Sequence, residues 1–149
     1  MRLALYQPDI PQNAGAALRL AACLGVGVDI IEPCGFVWSE PKMRRAGMDY
    51  LENVDLKRHS GWTAFRGQAG GRIVLLTTAG ADRFDDFRFR ADDILLVGRE
   101  SAGVPAEIHE AADARLLIPM MPGMRSLNVV NAAAIVLGEG LRQTKGFPT

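Results

Sequence analysis

Three positively charged side chains lie within four positions of one short segment, and a tyrosine follows them. The segment KMRRAGMDY contains Lys42, Arg44 and Arg45 and ends at Tyr50. Such a cluster is suited to RNA phosphates, with the aromatic ring available to stack on a base. Four carboxylates in and around this segment make a charge-rich, solvent-facing surface the default interpretation, and the residues alone leave both interpretations open.

Polar or flexible residues also lie where loops leave predicted strands. GRESAGVP (Gly98–Pro105) follows a strand directly, and its glycines allow a tight turn or the close approach of a ligand. On this segment alone, an ordinary strand–helix loop is favoured. Arg19 lies on the polar side of the first predicted helix, where it is either solvated or placed to bind an anion.

The last helix, predicted over Leu127–Gln143, contains four residues that are unfavourable inside a helix. Asn128 and Asn131 compete for backbone hydrogen bonds, and Gly138 and Gly140 each cost up to about 1 kcal/mol relative to alanine. These residues indicate either a marginal terminal helix or one whose asparagines tie down a loop and whose glycines admit another backbone. Four unfavourable residues in one helix favour the second interpretation, which we predict. The predicted core face of this helix has a spacing of three and four residues: Leu127, Val130, Ala134, Leu137 and Leu141.

The composition is that of an ordinary globular protein and predicts a single domain, 1–149. Lys+Arg and Asp+Glu both total 17, and this zero net charge argues against a general nucleic-acid coat protein while permitting a local basic patch. Cys23 and Cys34 form no CxxC motif, and His59 and His109 are interpreted as surface residues, so no metal site is expected. Without a signal peptide or a membrane-spanning apolar stretch, we expect a cytoplasmic protein.

Strand and helix patterns alternate along the chain, and several strands are continuous aliphatic runs. This arrangement predicts an open, mainly parallel α/β sheet flanked by helices. Asn13 is expected to cap the first helix, over Ala14–Leu24, and Gly25 to end it. In such sheets a ligand binds beyond the carboxyl ends of the strands, which here are the loops after Leu76, Val97 and Ile118. The predicted strands are Arg2–Tyr6, Val28–Glu32, NVDLK (residues 53–57), Arg72–Thr78, Asp92–Gly98 and RLLIP (residues 115–119).

Five ordered segments together resemble the SPOUT superfamily of RNA ribose 2′-O-methyltransferases. These segments are PDIPQNAG with the following LR, IIEPCGF, RRAGMDY, GRESAGVP and IPMMPGMRSLNVVNAAAIVLGE with the following RQ. RRAGMDY together with IEPCGF is most similar to a small single-domain branch, the tRNA 2′-O-methyltransferases that act on a cytidine or uridine at the wobble position. The resemblance spans nearly the whole chain.

The resemblance implies a C-terminal trefoil knot in the sheet, a bound S-adenosylmethionine, and a homodimer whose active site draws on both chains. It implies the anticodon stem-loop of tRNA as the substrate. The implied cofactor residues are Leu76, Thr77, Thr78, Gly98, Glu100, Ile118, Pro119, Met120, Ser126 and Leu127. The implied catalytic residues are Arg19, Ser126 and Asn128, and the RNA-binding residues are Arg44, Arg45, Tyr50 and Arg125.

Two positions depart from the family pattern. Ala16 stands where an asparagine is common, and Gly138 stands where a tyrosine commonly precedes the glutamate. These departures concern a substrate contact near Arg19 and a dimer or RNA contact, respectively.

Two alternative functions remain open. One is a ribose methyltransferase acting on ribosomal RNA, and the other is a catalytically silent RNA- or nucleotide-binding α/β module.

Overall fold

The computed structural model of the chain describes residues 1–45, 49–80 and 82–149. Seven strands and five α-helices lie within these ranges. The strands are β1 (Arg2–Tyr6), β2 (Gly27–Ile31), β3 (Leu56–His59), β4 (Ile73–Leu76), β5 (Asp82–Arg83), β6 (Ile94–Val97) and β7 (Ala114–Leu117). The helices are α1 (Pro11–Leu24), α2 (Glu40–Arg45), α3 (Trp62–Gln68), α4 (Ala106–Ala111) and α5 (Val129–Thr144).

The seven strands form one sheet in the order β3-β2-β1-β6-β4-β7-β5, and every neighbouring pair is parallel. β1 lies between β2 and β6, so that Arg2 is paired with both Gly27 and Ile94. The predicted parallel α/β sheet is therefore confirmed. Because all strands run in the same direction, their carboxyl ends, and the loops that follow them, lie along one edge.

Helices cover both faces of the sheet, which explains why its strands are apolar throughout. On one face, Leu18 of α1 and Val136 and Leu137 of α5 pack in a cluster with strand residues such as Leu3 and Val28. On the other face, Phe65 of α3 and Ile108 of α4 belong to a second buried cluster with residues of β2, β4 and β6. No helix among the described residues is long and apolar enough to cross a membrane.

Helix α1 begins earlier than the sequence predicted. Pro11 is its first residue and Ile10 occupies the cap position, so the predicted cap at Asn13 is wrong. Proline suits the first helical position because its fixed φ is helical and its missing N–H would have no partner there. Gly25 ends the helix in the left-handed conformation (φ 68°), as predicted.

Helix α5 begins at Val129, two residues after the predicted start, because Asn128 caps it. Leu127 therefore lies outside the helix and is 41% exposed, contrary to its predicted place in the core. Val130 and Ala134 are only half-buried. The buried residues of the helix are Ala133, Val136, Leu137, Gly140 and Leu141.

The two glycines of α5 have different surroundings. A Cβ on Gly140 would lie 2.6 Å from the Sδ atom of Met1, so this glycine makes room for a side chain. A Cβ on Gly138 would have no atom within 4 Å. The prediction that both glycines admit another backbone is therefore wrong within the described chain.

Several smaller expectations also change. The third strand is Leu56–His59, shifted towards the C-terminus from the predicted segment, and β5 was not predicted. His59 is buried and its Nε2 lies 2.7 Å from Oδ1 of the buried Asp29, so its predicted surface position is wrong. The centre of RRAGMDY, residues 46–48, lies outside the described residues.

Candidate active site

A cleft of about 910 Å³ opens at the carboxyl edge of the sheet, where β4, β6 and β7 end. Its walls are the loops that follow these three strands, together with Ile10 and Asn13 at the start of α1. The structure brings all ten predicted cofactor residues into its lining: Leu76, Thr77, Thr78, Gly98, Glu100, Ile118, Pro119, Met120, Ser126 and Leu127. The cleft is thus where the strand-end rule places a ligand.

Two glycines allow the loops of this cleft to pass close to other backbone. A Cβ on Gly98 would lie 2.6 Å from the carbonyl carbon of Gly103, and one on Gly80 would lie 2.7 Å from that of Leu116. Arg99 and Gly103 exchange backbone hydrogen bonds of 3.0 and 2.8 Å, which close the loop after β6 into a tight turn. Glycine is therefore required at position 98, because a side chain would overlap the backbone of Gly103. The sequence alone did not decide whether this glycine was required.

Asn128 connects the long loop before α5 to two helices. Its Oδ1 accepts hydrogen bonds from the backbone N–H groups of Val130 (2.9 Å) and Asn131 (3.2 Å). Its Nδ2 donates to Oδ1 of Asn13 in α1 at 3.2 Å. The predicted tying role therefore belongs to Asn128, whereas Asn131 is exposed and contributes its backbone N–H.

Asp9 and Glu100 form a pair of carboxyl groups at one rim of the cleft. The backbone N–H of Asp9 donates to Oε2 of Glu100 at 2.9 Å, and the Ser101 hydroxyl donates to Oδ2 of Asp9. Interaction with the Glu100 side chain, followed by the Ser101 hydroxyl, lowers the pKa of Asp9 to about 2. Burial, followed by the neighbouring Asp9, raises the pKa of Glu100. Glu100 therefore takes up a proton before Asp9 as the pH falls.

The predicted catalytic Arg19 does not line this cleft. It is exposed on α1, and its guanidinium carbon lies 5.2 Å from the centre of the Tyr50 ring. Ser126 and Asn128, the other two predicted catalytic residues, do line the cleft. Within one chain, the structure thus brings Arg19 together with a predicted RNA-binding residue and leaves it apart from the predicted cofactor residues.

The remaining predicted RNA-binding residues lie on the surface. Arg44 makes an exposed ion pair with Glu52 at 3.2 Å, and Arg45 and Arg125 are exposed. An exposed pair of this kind contributes little to stability, typically about 0–1 kcal/mol, so a phosphate can replace Glu52 at low cost. Among the residues that the structure describes, no group of three or more His, Cys, Asp or Glu residues is placed to hold a metal ion.

Asp9 and Asn13 were not among the predicted site residues, and Arg99 was predicted only as part of the loop after Val97. All three belong to motifs that were recognised, PDIPQNAG and GRESAGVP. The missing information was spatial, because β1 and β6 are neighbours in the sheet although they lie far apart in sequence.

The chain with this cleft is similar to proteins of a known family. The family model described as SpoU rRNA methylase matches residues 1–138. The chain belongs to the SpoU rRNA methylase family. The methyltransferase family predicted from the five ordered motifs is therefore confirmed.

Relatives within the SpoU family are similar over nearly their whole length. A tRNA (cytidine(34)-2′-O)-methyltransferase of Beijerinckia indica is 62% identical over 144 residues, which cover 95% of this chain and 90% of the relative. The enzyme of the same name from Escherichia coli K12 is 39% identical over 151 residues, covering 99% and 96% of the two chains.

Solved structures of SpoU relatives share the fold. One that gives structural insights into 2-OH methylation of C/U34 on tRNA superposes with a TM-score of 0.89 and 42% identity, covering 95% of this chain and 94% of that chain. The SpoU methyltransferase AviRb from Streptomyces viridochromogenes, in complex with the cofactor AdoMet, superposes with a TM-score of 0.82 and 29% identity. That match covers 96% of this chain and 60% of AviRb.

Proposed function

We propose that the chain is an S-adenosylmethionine-dependent methyltransferase that modifies the ribose 2′-hydroxyl of the wobble nucleotide, a cytidine or modified uridine, in tRNA anticodon loops. The observation that carries this proposal is the cleft, which gathers all ten predicted cofactor residues at one sheet edge of a SpoU family member. Relatives at 62% and 39% identity are named for this reaction. The whole chain, 1–149, acts as one methyltransferase domain.

The cleft fits a cofactor that contains an adenine, a ribose and an amino acid. Its volume of about 910 Å³ falls within the range of about 300–1,000 Å³ that is common for small-molecule sites. Leu76, Ile118 and Leu127 provide apolar contacts, while Thr77 and Ser126 provide hydroxyl groups. Gly98, Arg99 and Gly103 of the tight turn after β6 also line the cleft.

Methyl transfer to a ribose hydroxyl requires stabilisation of the oxygen as it loses its proton. S-adenosylmethionine, when bound, supplies an electrophilic methyl group on a sulfonium whose leaving thioether is neutral. Arg19 provides positive charge for the developing alkoxide, since a guanidinium stays protonated and is therefore a poor general base. Ser126, Asn128 and Arg125 shape the methyl-donor end, and most of the rate enhancement comes from positioning.

The separation of Arg19 from the cleft within one chain supports a homodimer with composite active sites. In this arrangement Arg19 of one protomer faces the cleft of its partner. Met121 and Met124 at the mouth of the cleft are 76% and 66% exposed, and Ile10 and Leu127 beside them are also exposed, so an apolar surface is available for the interface. We propose in addition that the segment from Ile118 into α5 forms the trefoil knot, since it joins β7 to a helix whose cap residue, Asn128, donates a hydrogen bond to Asn13 of α1.

Arg44, Arg45, Tyr50 and Arg125 are proposed to contact tRNA, and the first three define the proposed RNA-binding surface. Its arginines provide cations for phosphates, and the contact of Tyr50 with Arg19 connects this surface to the catalytic guanidinium. A compact stem-loop is the target that this surface suits.

The decisive experiment is mass spectrometry of nucleosides after incubation of the purified protein with S-adenosylmethionine and tRNA from a strain that lacks the enzyme. We expect one new 2′-O-methylated nucleoside, mapped to the wobble position. Ribosomal RNA in a parallel reaction tests the alternative substrate, and its methylation in place of tRNA would overturn the proposal.

Calorimetric titration with S-adenosylmethionine separates an enzyme from a silent binding module. Binding is expected in the wild type. Absence of binding, together with unmodified tRNA, would identify the chain as a non-catalytic RNA- or nucleotide-binding protein.

A further inference from the structure

Arg99 has a guanidinium that its own chain leaves largely without partners. Its Nε is buried and makes no hydrogen bond to the described residues. Its Nη1 makes one long hydrogen bond, of 3.5 Å, to Oε1 of Gln7. Its Nε lies 4.0 Å from Oδ2 of Asp9, which is too far for a hydrogen bond. A guanidinium carries five N–H donors, so this side chain has capacity for a strong acceptor.

The neighbours of Arg99 leave its guanidinium without a direct hydrogen bond to a carboxylate. Oδ2 of Asp9 accepts the Ser101 hydroxyl and lies 4.0 Å from Nε of Arg99, whereas Oδ1 of Asp9 is buried and accepts no hydrogen bond among the described residues. Gln7 has a φ of 42°, in the left-handed region that non-glycine residues rarely adopt, and its amide lies beside the guanidinium. Backbone of this kind is maintained only where the surrounding structure imposes it, often at functional sites.

The place of Arg99 in the sheet indicates which ligand it faces. Arg99 lines the cleft at the end of β6, which lies between β1 and β4. Most predicted cofactor residues belong to the loops after β4 and β7, on one side of β6. The contacts of Arg99 are with Gln7 and Asp9, which follow β1 on the opposite side. An anion held by Arg99 would therefore lie at the β1 rim of the cleft, away from most of the cofactor lining.

We propose that Arg99 is a positioning residue that binds a phosphate oxygen next to the target nucleotide and so aligns the ribose with the cleft. This inference rests on the proposed function, because it requires a nucleic-acid substrate. The planar fork of arginine matches phosphate in a bidentate geometry that lysine and glutamine do not reproduce. The side chain of Arg99 lines the cleft and is 38% exposed, although its Nε is buried.

The test compares Arg99→Gln with Arg88→Gln, which removes the same charge from an exposed loop before β6. For each variant, tRNA affinity is measured over a range of salt concentrations, S-adenosylmethionine affinity by calorimetry, and methyl transfer at saturating cofactor. We expect Arg99→Gln to weaken tRNA binding about tenfold and to reduce the salt slope by about one. The S-adenosylmethionine affinities of Arg99→Gln and of Arg88→Gln should both match that of the wild type.

Two results would overturn the inference while leaving the proposed function intact: tRNA affinity within twofold of the wild type, or a parallel loss of S-adenosylmethionine affinity. The second result would place Arg99 at the cofactor carboxylate. If Arg99→Gln does not fold, Arg99→Met, which keeps the apolar stem, is judged by the same criteria. Failure of the wild type to bind or methylate tRNA would instead refute the proposed function and this inference with it.

Discussion

Asn128 is a residue whose chemistry is unfavourable inside a helix and favourable at its beginning. Its carbonyl oxygen satisfies two backbone N–H groups in the first turn of α5, which would otherwise lack partners. Its amide nitrogen reaches Asn13, so one side chain joins the cleft loop, α5 and α1. The amide therefore contributes both to helix stability and to the shape of the cleft.

Asn128→Ala should lower the free energy of unfolding by about 1 kcal/mol, within a usual range of about 0.5–2 kcal/mol for a lost cap. It should also weaken S-adenosylmethionine binding, because the cleft loop loses its connection to Asn13. Urea unfolding and calorimetry measure the two effects. Asn131→Ala is the matched control, since Asn131 is exposed one turn later, and it should change stability by no more than about 0.5 kcal/mol. Equal effects of the two substitutions would contradict the capping role.

At the scale of elements, the loop after β6 is defined by close contact between backbone segments. Gly98 and Gly103 approach each other so closely that no side chain fits at position 98. This contact directs the chain from a central strand into the cleft and then towards α4. Loop shape, and hence cofactor binding, depends on the absence of one Cβ atom.

Gly98→Ala should therefore destabilise the protein by about 1–3 kcal/mol, as other overpacking substitutions do, and should weaken cofactor binding at least about tenfold. Gly138→Ala is the same substitution at a position with open space. It should leave cofactor binding unchanged and stabilise the chain by about 0.4–1 kcal/mol. Thermal unfolding with and without S-adenosylmethionine measures both. If Gly98→Ala bound the cofactor normally, the loop would have to be more compliant than its contacts indicate.

Elements that are determined by local sequence were predictable. Continuous aliphatic runs located β1, β2, β4, β6 and β7 to within about two residues, because burial on both faces requires apolar residues throughout. β5 consists of two exposed charged residues, Asp82 and Arg83, and carries no such pattern. The position of β3 was also imprecise, since Lys57 and Arg58 face solvent at the edge of the sheet.

Contacts between distant segments account for what was missed in the site. The motif resemblance and the strand-end rule together located the cofactor loops. Neither gives the stacking of Arg19 on Tyr50 or the pairing of Asp9 with Glu100, because these contacts depend on how separate elements pack. Nor did helical periodicity reveal that Leu127 precedes α5, since an apolar stripe continues through a cap without interruption.

At the scale of the whole molecule, the proposed dimer predicts a mass in solution of about twice 16.1 kDa. Met124→Asp places a charge on the exposed apolar surface at the cleft mouth and should shift the protein to monomer, because burying an unpaired charge is costly. The rate of methyl transfer should fall as the dimer dissociates if the active sites combine residues of both protomers. Sedimentation equilibrium and the tRNA assay provide the measurements.

Val37→Asp is the control for this prediction. Val37 is 80% exposed on the loop after β2, and the same substitution there should leave the mass unchanged. A monomeric wild type with full activity would contradict the composite site.

The position of β1 in the sheet also has a consequence during synthesis on the ribosome. β1 is made before its partner β6, which pairs Ile94 with Arg2 and so follows it by 92 residues. At about 5–20 residues per second, one edge of this apolar strand remains unpaired for about 5–20 s. The nascent chain therefore presents a binding site for chaperones throughout that interval, and slower translation of the stretch between the two strands would lengthen it.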